Sequence, residues 1–480
     1  MATTITQFPK FTYVPVGQDI IFIASNLAIL TTPDFINVKY IAEVHISDGS
    51  AVNPASNIDV VGTFKTTPNN AGVGIFNFRS IVESYLNTDN KARANSSFKE
   101  VLNTDLRTPL HLIDKFSGNN NSFRYLFVKF KVEYIDNDSS SATFGDLITT
   151  GIANSNSYKL FNAYLKYSDE LQITNDSFGY NLSQFNLTYN NTTKSLLTNA
   201  PSTQYANIED YGTVAMLNIA PVFKSPSGGL NPGVRYIVFT FLLKDGSTVN
   251  DGIDIVDTAD GGFDYTQQGE AYNKILYAGV FPANLRGWST VFNANIDNIV
   301  SYVFDVRSYL GAVAAPASKL YTVNINCPTL KGYEPIRLTW LNQWGAWDYY
   351  TFNMKSIKNI STKGSTYQQL EGTWNESSYK LDGFRGGKKA FRVNATEKIT
   401  MNTDFVSETE SEWFEELINS PEVYILKGFG ETVSVALLNN YVTPVRLTTS
   451  SYTKKTVAND KLMQYTFEVE KSKTLRTQSV

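Results

Sequence analysis

The chain has one cysteine and two histidines in 480 residues. A His/Cys zinc site needs at least three such ligands and a disulfide framework needs pairs, so Cys327, His45 and His111 build neither by themselves. Charge is also scarce. Only 18% of residues are charged, and 41 basic against 45 acidic residues leave a net charge of -4. That balance supplies no global attraction to nucleic acid or to an anionic membrane. Long apolar runs are missing: the most apolar stretches, Ile20 to Ala24 and Tyr236 to Leu243, fall far short of the ~20 residues a spanning helix requires. The opening MATTITQFPKFTYVPVG is polar and aromatic and lacks the pattern of a secretion signal. The expectation is a protein made in the cytoplasm that stays soluble or joins an assembly there, with no membrane anchor.

Aromatic residues are plentiful: 30 Phe and 28 Tyr bring the aromatic share to 13%. Asn, Thr, Ser and Gly separate short apolar runs, the pattern of many strands joined by turns. In FRYLFVKFKVEYI (123–135), Leu126, Val128, Phe130, Val132 and Tyr134 alternate with Lys129, Lys131 and Glu133, which predicts a strand with one buried face. Similar runs lie at 40–46, 235–243, 321–327, 336–341, 422–426, 433–438 and 462–469. Helices are expected to be few: one in RSIVESYL after Asn77, and one at 408–419. There Ser407 and Glu410 have capping-box spacing, Trp413, Phe414, Leu417 and Ile418 form an apolar stripe, and Pro421 ends the helix. The fold class is mainly β, with multiple β-sandwich-like domains, a few short helices and long Asn/Thr-rich loops.

The expected organisation is an N-terminal β domain (1–135), a loop-rich Asn/Thr/Ser segment (136–230), a central β domain (231–318) and a C-terminal β domain (319–480). The clusters SPSGGLNPG (225–233) and GAVAAPAS (311–318) are the expected boundaries. The central domain is a weak repeat of the first: Lys39-Tyr40-Ile41 leads to Asp48-Gly49-Ser50 as Arg235-Tyr236-Ile237 leads to Asp245-Gly246-Ser247. Chance recurrence of turn chemistry explains the echo as well as duplication does.

Candidate chemistry is sparse. Cys327 shares a strand face with Tyr321, Val323 and Ile325 and reads as a buried apolar residue rather than a nucleophile. His45 and His111 stand near no nucleophile pattern and read as structural. The loop 251–270 carries Asp251, Asp254, Asp257, Asp260, Asp264 and Glu270 without a basic residue. Its spacing by threes is not that of an EF-hand, which favours a solvated or docking loop over a metal site. GFRGGKKAFR (383–392) presents Arg385, Lys388, Lys389 and Arg392 without Walker spacing. These cations are expected to meet acid on a neighbouring subunit, either Asp254 and Asp257 or the helix face bearing Glu408, Glu412 and Glu416. Complementary blocks on one chain permit head-to-tail rings. Trp340, Trp344, Trp347 and Tyr349, in RLTWLNQWGAWDYYTF, are expected to anchor an interface, or else to form a carbohydrate platform. No catalytic, cofactor-binding or metal-ligating set is nominated. A glycosidase using two distant carboxylates stays open, with no pair to name.

Several segments resemble virion structural proteins of tailed bacteriophages, in particular tail and neck components of crAss-like and other Bacteroidetes-infecting phages. They are KYIAEVHISDG with GTFKTTPNNAGVGIFNFRSIVESYL, then SLLTNAPSTQY, PIRLTWLNQWGAWDYYTF, SEWFEELINSPEVYI and PVRLTTSSYTKKTVANDKLMQYTFEVEKSKTLRTQ. They run in order from about residue 39 to residue 478, with 136–190 outside the likeness. The resemblance implies a non-enzymatic, multi-copy ring or barrel subunit of the virion tail or neck, assembled in the host cytoplasm. Its implied partners are identical subunits and other tail, neck and portal proteins, with phage DNA passing through a lumen. No cofactor is implied. The alternative is a host-surface or glycan-binding tail protein.

Overall fold

The structure is a computed structural model that describes residues 2–48, 60–92, 109–166, 182–218, 234–255, 274–310, 313–326, 332–428, 441–449, 451–453, 463–473 and 475–476. It is mainly β, with five short α-helices among the described residues. The chain divides into two compact units, residues 1–325 with 341–348, and residues 326–340 with 349–480. The proposed strand 433–438, the boundary 225–233, Asp257 and Cys327 lie outside the described residues.

The first unit contains two sandwiches. In the first, a three-stranded sheet (Thr4–Gln7, Ile21–Ser25, Val73–Asn77) faces a six-stranded one. The latter runs Tyr13–Pro15, Tyr158–Phe161, Phe123–Asp136, Phe35–Ser47, Val60–Thr66, with Leu147–Asn154 also on Phe123–Asp136. The period-two residues Leu126, Val128, Phe130, Val132 and Tyr134 enter one core with Phe22, Tyr40, Phe76 and Tyr158. Phe22 bridges the two sheets, 5.8 Å from Phe130 and 5.5 Å from Tyr158 between ring centroids. On the outer face, the alternate residues pair across strands, Lys129 and Lys131 with Glu43, and Lys65 with Glu133.

The second sandwich repeats this plan. Its six-stranded sheet runs Thr203–Ala206, Tyr321–Ile325, Ile299–Leu310, Tyr236–Leu243, Thr248–Asp254, with Val313–Pro316 also on Ile299–Leu310. In each large sheet the first strand runs parallel to the last and every other pairing is antiparallel. Two sheets with this strand order make an immunoglobulin-like sandwich. Hydrogen bonds repeat as well. Ser155 Oγ accepts from Val128 N (3.0 Å) and donates to Asn156 O (2.8 Å); Ser318 Oγ accepts from Val306 N (3.0 Å) and donates to Lys319 O (2.9 Å). These contacts set Val128 against Val306. Their cross-strand partners are Val44 and Ile237, so the sheets match Ile237 with Val44, three residues beyond the Ile41 that the sequence echo puts opposite it.

The small sheet of the second sandwich, Thr213–Leu217, Ile275–Gly279 and Phe116–Gly118, takes its last strand from the segment between strands of the first sandwich. This borrowed strand places both sandwiches in one unit. Two expected boundaries therefore move. Residues 1–135 lack the last two strands of their own sandwich, which come from Leu147–Asn154 and Tyr158–Phe161. GAVAAPAS contains Val313–Pro316, which pairs back on Ile299–Leu310.

The second unit is built on an eight-stranded sheet, of which Leu341, Trp347 and Asp348 count with the first unit: Trp347–Phe352, Ile336–Leu341, Val423–Leu426, Val442–Leu447, Thr466–Lys471, Gly387–Asn402, Ile357–Gln369, with Leu475–Arg476 also on Gly387–Asn402. Helix Glu408–Asn419 has the expected capping box from Ser407 and Glu410. It buries Trp413 and Phe414 against Trp340, at 4.8 and 6.4 Å, and Phe414 lies 5.4 Å from Phe467.

Candidate interaction surface

Strands Ile357–Gln369 and Gly387–Asn402 pair from Ile357 with Thr400 to Gln369 with Gly387, with a bulge between Ser365 and Thr366. Among the described residues, a third strand pairs with this ribbon only at 398–402 and at 394–395. Among the described residues, the outer half, 364–369 with 387–393, stands as two strands alone. Such a ribbon is marginal in water unless another surface packs on it.

The tip, residues 370–386, is ordered by its own hydrogen bonds. Thr373 is buried; its Oγ1 donates to Ser378 O (2.7 Å) and accepts from Lys380 N (2.8 Å), and its N donates to Lys380 O (3.1 Å). Gly386 takes φ +96° where the tip rejoins the ribbon, and a Cβ there would lie 2.4 Å from Glu371 Cγ, so only glycine fits. With the backbone thus satisfied, the tip turns apolar side chains outward: Leu370, Trp374, Tyr379, Leu381 and Phe384 are 57–74% exposed. Trp374 and Tyr379 meet edge to face at 5.6 Å. A cluster of large exposed apolar side chains marks a surface built for contact.

The basic residues singled out from sequence border this tip. Arg385 lies 3.7 Å from Glu376 and 3.6 Å from Asp382, and its guanidinium stands over Phe384 at 5.6 Å. Lys389 Nζ donates to Phe384 O (3.1 Å), and Lys388 is exposed. Glu408 and Glu412 are exposed on their helix, but Glu416 is 2% exposed, on the inward side. Asp254 ends its strand paired with Arg235 at 3.4 Å.

The aromatic cluster is placed differently from expectation. Trp340, Trp344, Trp347 and Tyr349 are at most 4% exposed, so no ring face is open to a sugar or another subunit. Trp340 sits in the second unit's core. Tyr349 lies under the Arg337 guanidinium at 5.3 Å. Trp344 and Trp347 belong to the first unit. There, Trp344 Nε1 donates to Asn199 Oδ1 (2.9 Å) with its ring 4.6 Å from Phe185, and Trp347 Nε1 donates to Asp89 O (2.8 Å) with its ring edge-on to His111. His45 is also buried, edge-on to Phe127. Among the described residues no cluster of three or more His, Cys, Asp or Glu is arranged to hold a metal, and no helix is long and apolar enough to cross a membrane.

Sequence reasoning missed the tip. Leu370, Trp374, Tyr379, Leu381 and Phe384 have neither helical nor strand periodicity; the available signal was apolar residues scattered through a Gly/Ser-rich turn.

No protein-family model matches the chain, and no curated protein does. Among solved structures, similarity is found to Escherichia coli alpha-2-macroglobulin in its native conformation, at 9% identity and a TM-score of 0.18. That match takes in all of this chain and 31% of the other, so the chain spans about a third of that protein's length.

Proposed function

We propose that the chain is a structural subunit of a bacteriophage virion, present in several copies in a tail or neck ring, and that the ribbon tip docks on a neighbouring copy. The exposed apolar tip carries this reading. Burying a Leu or Phe side chain contributes about 1.5–3 kcal/mol, and two Leu, one Phe, one Trp and one Tyr on one projecting tip provide a hot-spot cluster of the kind that holds subunits together. The cations Arg385, Lys388 and Lys389 beside it complement an acidic surface, and the exposed Glu408 and Glu412 of a second copy supply one. The ordered segment likeness to tail and neck proteins supports the virion setting.

Native mass spectrometry and electron microscopy of the purified protein test it. A closed oligomer is expected, and Trp374→Ser combined with Phe384→Ser is expected to yield folded monomers with an unchanged circular-dichroism spectrum and a melting temperature that no longer depends on concentration. A wild-type protein that stays monomeric at high concentration, alone and in the particle, overturns the reading. Binding of host polysaccharide by the monomer, abolished by the same pair of substitutions, would instead establish the glycan-binding alternative at Trp374 and Phe384.

A further inference from the structure

The two sandwiches share a corner that the chain bridges in one and not in the other. Tyr158 and Tyr321 stand three residues after the corner serines Ser155 and Ser318. Tyr158 pairs with Leu126 and Tyr321 with Phe304, each two residues before the matched Val128 and Val306. The two tyrosines are therefore equivalent, and they are 2% and 3% exposed. In the second sandwich the segment 191–196 lies across this corner. Leu196 N donates to the Tyr321 hydroxyl (2.8 Å), Lys319 N donates to Lys194 O (2.8 Å), and Asn191 N donates to Pro316 O (2.8 Å). The Leu196 side chain is fully buried there.

In the first sandwich the counterparts of these groups have no such partner. Asn156 N, which matches Lys319 N, and the Tyr158 hydroxyl form no hydrogen bond among the described residues. The strand at the matching distance ahead of the parallel pairing is Thr4–Gln7. It pairs instead with Ile21–Ser25 in the small sheet. A pocket of about 210 Å³ is left, lined by Ile5 and Phe8 and by the corner residues Ala153, Asn154, Asn156 and Tyr158. At roughly 30 Å³ per water it holds about seven waters, the space of one aliphatic residue with its main chain. Ser155 keeps the corner fixed, because its hydroxyl is tied to Val128 N and Asn156 O.

No charged side chain lines the pocket, so an ionic ligand finds no counter-charge in it. The second sandwich shows the chemistry that completes such a corner: a main-chain carbonyl and, two residues on, an amide carrying an aliphatic side chain. We propose that the pocket takes a short main-chain segment of a partner protein in the same way. Its carbonyl accepts from Asn156 N, its amide two residues on donates to the Tyr158 hydroxyl oxygen, and the aliphatic side chain of that second residue packs on Ile5 and Phe8. Main-chain bonds supply the affinity in recognition of this kind, and the side-chain pocket supplies the selectivity. A second copy does not provide the segment from its own Lys194–Leu196, which is engaged in its own sandwich.

The end-blocked synthetic peptide of residues 190–198, NNTTKSLLT, titrated into the full chain tests this. The wild type is expected to bind it with a Kd below about 1 mM, and amide hydrogen exchange around Asn156 is expected to slow when it does. N-methylation of the peptide at Leu196, which removes the donated hydrogen, is expected to weaken binding roughly three- to tenfold. Leu196→Asp in the peptide is expected to cost about tenfold or more, since it carries a charge into an apolar pocket. In the protein, Tyr158→Phe keeps the ring and removes a hydroxyl that the fold does not bond, and it is expected to weaken binding by the same three- to tenfold as the N-methyl group, roughly one hydrogen bond. Tyr321→Phe is expected to leave the affinity unchanged. No binding up to about 1 mM, or equal affinity for the N-methylated peptide, overturns the proposal. So does a loss on Tyr321→Phe in place of Tyr158→Phe, which would mean that the peptide displaces the chain's own segment.

Discussion

At the scale of single residues, Lys274 makes the pH dependence of stability readable. Its folded-state value of about 8 lies below the ordinary 10.5, so between these values the unfolded chain binds more protons than the folded one. Burial causes most of this shift, and stability is therefore expected to rise with pH from about 8 upward, by roughly 3 kcal/mol over the full window. Lys159 is shifted in the same direction and adds with the same sign. Thermal unfolding between pH 7.5 and 9.5, below the titration of unfolded tyrosines, measures it. Lys274→Met is expected to flatten most of the slope and raise the melting temperature at pH 7.5. Neither lysine's burial was legible in the sequence, because each belongs to an ordinary polar position and what covers it is set by the tertiary fold. The tryptophans were legible as a cluster, but not as a buried one: composition gives the aromatic area of Trp340, Trp344 and Trp347 without saying whether the chain itself covers it. Glu416 shows the same limit, since it sits at the edge of the apolar stripe, where a turn of one position decides between water and the interior.

Among elements, those with a complete local code were read from sequence and those without it were not. Helix Glu408–Asn419 carries its cap, stripe and stop, and the structure places it at the expected residues. Strand Phe123–Asp136 shows its period from Leu126 to Tyr134. By contrast, Leu147–Asn154 falls in the segment read as loop-rich from its Asn, Thr and Ser content; only Ile148 and Ala153 among its apolar side chains pack on the core, the sparse pattern of an edge strand. The turn at 342–346 illustrates a local device with a measurable cost. Asn342 Oδ1 accepts from Trp344 N (2.9 Å) and Ala346 N (3.0 Å), and Gly345 at φ +72° passes so close to Asn162 that a Cβ would lie 1.7 Å from its carbonyl oxygen. Gly345→Ala is expected to destabilise the first unit by at least about 2 kcal/mol, from left-handed strain and the clash together. Denaturant unfolding gives the value; a loss below 0.5 kcal/mol, the range of ordinary surface substitutions, would contradict this account of the turn.

At the scale of the molecule, the repeated strand order and the Ser155 and Ser318 bonds indicate duplication of one sandwich. Each hydroxyl takes the same backbone amide into the same corner, so Ser155→Ala and Ser318→Ala are expected to cost the same, about 1–2 kcal/mol each for the amide left unpaired. Calorimetry of the two single variants checks this, and a several-fold inequality would argue that the corners are not equivalent. The sequence carried only a faint trace of the repeat, and in a shifted register, because what is kept between the two halves is the backbone pattern and one serine rather than the side chains on the strands.

The parallel pairing of Tyr13–Pro15 with Tyr158–Phe161, and of Thr203–Ala206 with Tyr321–Ile325, bears on how the chain is made. In each sandwich the early strand has no partner in its sheet until the last strand has left the ribosome, and contacts so distant in sequence form late. The borrowed strand Phe116–Gly118 waits longer still, until Ile275–Gly279 is synthesised. During translation the nascent chain thus exposes two unpaired strands at a time, first Tyr13–Pro15 with Phe116–Gly118 and then Phe116–Gly118 with Thr203–Ala206, and its production in quantity would favour slow elongation or a chaperone that shields those edges before they find other chains.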